Sequence, residues 1–122
     1  MWITRIIKID GRDVRFRASA AIPRLYRERF GRDIFSDLRQ IGEVDPDEPV
    51  AGSSALTLFE DIAYVMAKYE DPFGVPETTE EWLDGFGAFS VCRAMPEITA
   101  LWRENLRTSV ESKKNSIGRT GT

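Results

Sequence analysis

Glu60 with Asp61, and Glu80 with Glu81, are carboxylate pairs, the raw material of general acid–base catalysis. Neighbours on a helix diverge by about 100°, so neither pair can flank a substrate, and both read as ordinary solvated charges. Glu43, Asp45, Asp47 and Glu48 could offer oxygens to calcium. The alternating ligands, central glycine and terminal glutamate of a calcium loop are missing there, and the stretch reads as an acidic surface loop. Histidine is absent and cysteine occurs once, as Cys92. A Ser-His-Asp or Cys-His pair, a zinc cage and an internal disulfide are therefore excluded. Cys92 among apolar neighbours reads as a small buried hydrophobe in a reducing compartment. Gly85-Phe86-Gly87 is too short for a phosphate loop and follows no strand. The expectation is a protein that is not an enzyme and uses no cofactor or metal.

What the sequence offers instead is aromatic density. Phe73, Trp82, Phe86 and Phe89 fall within 17 positions, in a stretch loosened by glycines and prolines. Aromatics at helical spacing are commonly core. The functional reading is a groove whose large apolar anchors receive an amphipathic helix from another protein, with these four residues as the partner-binding set.

The charge pattern narrows the partner. The net charge of −3 over 122 residues argues against a uniformly basic nucleic-acid or membrane binder. Residues 1–42 carry ten basic and five acidic side chains, residues 43–84 one and twelve, and residues 85–122 six and three. Such segregation gives three faces whose fields partly cancel, and would also suit head-to-tail association. Arg24, Arg27, Arg29 and Arg32 are expected on the outer surface, without the clustered aromatics that a nucleic-acid platform needs.

The elements that must position these residues follow from local signals. Asp10-Gly11 between two alternating runs predicts a two-residue hairpin. Its register would set Ile9 against Arg12, Lys8 against Asp13, Ile7 against Val14 and Arg5 against Phe16. Ile7, Ile9, Val14 and Phe16 then share one face. A helix over 20–30 should end at Gly31, and a second, capped by Asp33, should carry Ile34, Leu38 and Ile41 inward. The segment 55–70 presents Leu56, Phe59, Ile62, Ala63 and Met66 at helical spacing and is expected to be the central core helix. Glu60, Asp61, Lys68 and Glu70 would lie on its solvent side. After a break at 71–76, Thr78 with Glu81 has capping-box spacing. Gly85 and Gly87 allow a bend or the close approach of another backbone. A long helix entered at Pro96 carries Ile98, Leu101, Trp102, Leu106 and Val110. The fold class is mainly α with a small N-terminal β-hairpin, α+β, as one domain over 1–111 with a disordered tail at 112–122. The N-terminal run is too short and too charged for a signal peptide, and no window reaches the ~20 apolar residues of a membrane span.

The order of elements and several strings resemble a known group. The stretch IKIDGRDVRFRASAAIPRLYRERFGRDIFSDL, an acidic loop, the helix LTLFEDIAYVMAKYED, the segment TTEEWLDGF and the LWRENL helix ending in SKKN resemble the small tail assembly chaperones of long-tailed bacteriophages and prophages of Gram-positive bacteria. The resemblance covers about residues 5 to 115. It rests most on Ile9-Asp10-Gly11, Tyr26, Phe30-Gly31-Arg32-Asp33-Ile34 and Asp37-Leu38, followed by Trp82, Leu101 and Trp102. It implies a viral tail assembly role in the host cytoplasm: binding the long helical tape measure protein, keeping it soluble, and helping to recruit major tail protein. It also implies absence from the mature virion, while the charge segregation would allow a homo-oligomer that is filament-like or ring-like rather than a closed two-fold dimer. In that group a frameshifted longer form commonly recruits the major tail protein, and Lys113-Lys114-Asn115 is the kind of tripeptide that a slippery A-rich run encodes. The alternatives are a small DNA- or RNA-binding regulator using the Arg-rich first third, and a structural head-tail connector or tail-completion protein retained in the particle.

Overall fold

The computed structural model describes residues 3–41 and 54–104. Strands β1 (Ile3–Ile9) and β2 (Arg12–Ala18) form an antiparallel hairpin, followed by helices α1 (Ala21–Phe30), α2 (Ile34–Ile41), α3 (Ser54–Glu70), α4 (Thr79–Leu83) and α5 (Ser90–Arg93). Residues 95–104 form a further helix, α6. The acidic loop at 43–48, the continuation toward Val110 and the tail at 112–122 lie outside the described residues.

The hairpin turn is set by Asp10 and Gly11, with φ of 54° and 76°. Both lie in the left-handed region that a tight two-residue turn with strand-like twist requires. The register is the expected one in all four pairs, and it places Ile7, Ile9 and Phe16 in the core with Val14 half-buried beside them. Gly31, left-handed at φ 70°, closes α1 by donating its N–H to the Arg27 carbonyl. The Asp33 carboxylate accepts from the Phe35 N–H and caps α2. Thr78 caps α4, its hydroxyl oxygen accepting from the Glu81 N–H at 3.1 Å.

Helix α3 is the centre of the fold, packed against β2, α1, α2, α4 and α5. Its burial is broader than the single stripe its spacing predicts. Tyr64, Val65 and Ala67 are buried along with Phe59, Ile62, Ala63 and Met66. Each fully buried large side chain of this kind contributes about 1.5–3 kcal/mol, so α3 is the main store of stability. Helix α6 closes the core with Ile98, Leu101 and Trp102, whose indole N–H points at the Met66 sulfur at 3.1 Å. Among the described residues, no helix is long and apolar enough to cross a membrane.

Two expectations about charge are overturned. Asp61 is 8% exposed and Asp37 5% exposed, so neither is a solvated surface carboxylate. Arg32 does not decorate the surface. Its guanidinium joins Asp61 at 2.7 Å, Asp37 at 3.1 Å and the Tyr26 hydroxyl oxygen at 2.8 Å. The Tyr26 O–H in turn donates to Asp37 at 2.5 Å. Burial first, and then the Asp37 carboxylate, pushes the Tyr26 phenol well above its ordinary range. The signal for both acids was present in the sequence. Asp37 has Ile34 three residues before it and Ile41 four after, and Asp61 has Leu58 and Val65 at the same offsets, so each lies on an apolar face. What the pattern lacked was the cation, since Arg32 lies in the connection between two helices, where no periodicity applies.

Candidate functional site

Two of the four residues singled out for a partner surface, Trp82 and Phe86, line one groove of about 680 Å³. One wall is β2 from Arg12 to Arg15. The other is the connection after α3, with Glu70, Asp71, Gly74, Val75 and Pro76, and α4 with the following turn contributes Glu81, Trp82, Gly85 and Phe86. Val14, Val75, Trp82 and Phe86 supply its apolar surface, and Arg12, Arg15, Asp71 and Glu81 its charged margins.

Trp82 is foremost a core residue, 5% exposed. Its ring meets Phe16 edge-on at 6.3 Å, Tyr64 at 5.9 Å and Phe86 edge-on at 5.2 Å, joining the hairpin, α3 and the turn after α4. Only its border reaches the groove. Phe86 is half-buried on Trp82 and covered from outside by the Arg12 guanidinium, 4.4 Å from the ring centre. Arg12 is held there by donating to the Gly85 carbonyl at 2.7 Å. The hairpin tip is fastened to the same turn. Asp10 accepts from the Gly87 N–H at 2.7 Å and from the Ser90 hydroxyl at 2.5 Å. A side chain at Gly87 would meet Ser90 Oγ at 2.8 Å and Asp10 Oδ2 at 3.6 Å, so two side chains, and not another backbone, come close to this glycine. The Ser90 and Gly87 hydrogen bonds hold the Asp10 carboxyl below its usual range.

Phe73 is fully exposed at the apex of the connection 71–76. The backbone that carries it is well fixed. Lys68 Nζ donates to the Pro72 and Val75 carbonyls at 2.7 and 2.8 Å, the Tyr64 hydroxyl to Pro76 O, and Arg29 to Glu77 O. Asp71 accepts from the Gly74 N–H within the turn. A large apolar ring is thus presented to solvent on a braced support. Phe89, 37% exposed, precedes α5 and does not line the groove. The fold therefore brings Trp82 and Phe86 together, and leaves both Phe73, on the connection after α3, and Phe89 outside the groove lining.

At least four of the nine arginines in residues 1–42 are engaged within this chain. Arg12, Arg17, Arg29 and Arg32 are engaged with Gly85, Glu70, Glu77 and the Tyr26–Asp37–Asp61 cluster. Burial, and then the charge of Glu60, pushes the Cys92 thiol up to about 11, which suits a packing residue. Among the described residues, no group of three or more His, Cys, Asp or Glu side chains is placed to hold a metal ion. No protein-family model, curated protein or solved structure matches the chain.

Proposed function

We propose that this protein is a tail assembly chaperone that binds apolar segments of a tape measure protein in the host cytoplasm, keeps them soluble, and leaves before the virion is complete. The observation that carries the reading is the groove bounded by Val14, Val75, Trp82 and Phe86, next to the exposed, braced Phe73. A long helical chain awaiting its tube presents apolar stripes that associate indiscriminately, and covering them removes aggregation surface at about 25 cal/mol per Å². An aromatic carried on a braced backbone leaves only its own side chain to be ordered on binding, which favours capture of such a stripe. Recruitment of major tail protein, through a longer frameshifted product, belongs to the same proposal. The engagement of Arg12, Arg17, Arg29 and Arg32 with partners of this same chain weighs against the nucleic-acid alternative.

The test is to search the neighbouring genes for a very long helical protein and to co-express it with this chain. The expected result is a soluble complex that Phe86→Ala weakens by ~1–3 kcal/mol, the range for an aromatic anchor, while the circular dichroism spectrum stays that of the parent. A tape measure chain equally soluble with and without this protein would refute the proposal. Salt-dependent retention on generic DNA would favour the regulator instead, and recovery of the chain in purified particles would favour the connector.

A further inference from the structure

The outer edge of β1 is a strand edge without a partner among the described residues. In a two-residue hairpin the residues flanking the turn exchange both hydrogen bonds, and every second pair repeats this. Ile9–Arg12, Ile7–Val14, Arg5–Phe16 and Ile3–Ala18 are therefore the bonded pairs. Thr4, Ile6 and Lys8 point their N–H and C=O groups away from β2. Beyond the hairpin ladder, no backbone hydrogen bond from another described residue reaches them. The corresponding edge of β2, by contrast, is a wall of the groove and faces the end of α3. In the middle of the open edge stands Ile6, 54% exposed on the outer face of the sheet.

We propose that β1 pairs with β1 of a second copy of this chain, antiparallel about a two-fold axis at Ile6, joining two hairpins into one four-stranded sheet. The sequence of β1 is self-complementary in this register. Ile6 lies against the partner's Ile6, Thr4 against the partner's Lys8, and Arg5 against the partner's Ile7. No like charges oppose one another, and the most exposed aliphatic side chains cover each other on the axis. Moving the axis to Arg5 would set two guanidiniums face to face. Moving it to Ile7 would set Lys8 against the partner's Ile6 and uncover the apolar pair. The charge of Arg5 is already held by Glu104 of its own chain at 2.5 Å. Lys8, the kind of residue that guards an open edge, faces the partner's Thr4, whose hydroxyl donates to the Glu70 carboxylate of its own chain at 3.3 Å. This contact lies on the opposite edge of the sheet from the groove and does not depend on what the groove binds.

Sedimentation equilibrium of the full chain tests the proposal. A single strand junction is smaller than a standard interface, so association should develop between about 10 µM and 1 mM. Ile6→Glu is the decisive variant. Within one chain it faces Arg15 across the hairpin, a favourable pair that keeps the fold, whereas at the axis it opposes its own charge. Its dissociation constant should rise at least about tenfold. Ile6→Cys should form a disulfide-linked dimer under mild oxidation, and Arg15→Cys, on the same face but on β2, should not, with Cys92 withdrawn at 2% exposure. A wild-type chain monomeric throughout that range would overturn the proposal. So would association that Ile6→Glu leaves unchanged and Ile6→Cys fails to trap, which would place the contact elsewhere, including the groove or residues outside those described.

Discussion

Replacing Arg32 by methionine keeps an unbranched apolar stem and removes the guanidinium that joins α3 to α1 and α2. Three hydrogen bonds are lost, to Asp61, Asp37 and Tyr26. Asp37 keeps the Tyr26 hydroxyl, but Asp61 loses the one cation bonded to it among the described residues. Removing one member of a buried ion pair costs about 3–5 kcal/mol, and solvent reaching the Arg32 side chain, 35% exposed, reduces this to about 2–3 kcal/mol. At roughly 3–6 °C per kcal/mol for a chain of this length, the melting temperature should fall by about 6–18 °C. Arg24→Met, at an exposed position of α1, is the control and should stay within about 0.5 kcal/mol of the parent.

The pH dependence carries a second sign. Burial raises the Asp61 carboxyl from its ordinary 3.8, more than the Arg32 guanidinium lowers it. The folded state therefore holds this proton more tightly than the unfolded chain does. The group's contribution to stability is fully present below the unfolded value and is lost as pH rises through the folded one. Without Arg32 the carboxyl rises further, so the deficit of Arg32→Met should be present at neutral pH and narrow as pH falls through the folded value and Asp61 becomes protonated in both proteins. Differential scanning calorimetry over that range reads both effects. A variant melting with Arg24→Met at neutral pH, or a deficit that grows on acidification, would refute the assignment of Arg32 as the cation of a buried cluster.

Trp82→Ala should cost about 3–5 kcal/mol in urea unfolding, as deletion of a large core aromatic does, whereas Phe73→Ala, fully exposed, should leave the midpoint unchanged and act only on partner capture. Asp10→Asn removes a carboxylate whose folded pKa is lowered, so the stability it supplies is present above 3.8 and lost as pH falls through the folded value. The parent should show this acid-sensitive component and the variant should lack it, with faster hydrogen exchange at the Gly87 amide at neutral pH.

The sequence by itself determined what short-range chemistry controls. Asp10-Gly11 specified the turn and, through it, the register of both strands, because only a few residue types tolerate two successive positive φ angles. Gly31, Asp33 and Thr78 marked helix ends because the orphaned N–H and C=O groups there need local partners. The apolar spacing of 55–70 announced α3 as central. The tertiary structure decided what depends on residues far apart in the chain. That Trp82 is a hub and Phe73 is bare could not follow from their aromaticity, since burial depends on whether Phe16 and Tyr64 arrive from other elements. The short helix α5 escaped the period because four residues carry too little pattern. The ionic cluster of Arg32 with Asp37 and Asp61 exists only where α1, α2 and α3 meet. Electrostatic partnership inside a core is set by distance in space, and no spacing along the chain encodes that distance.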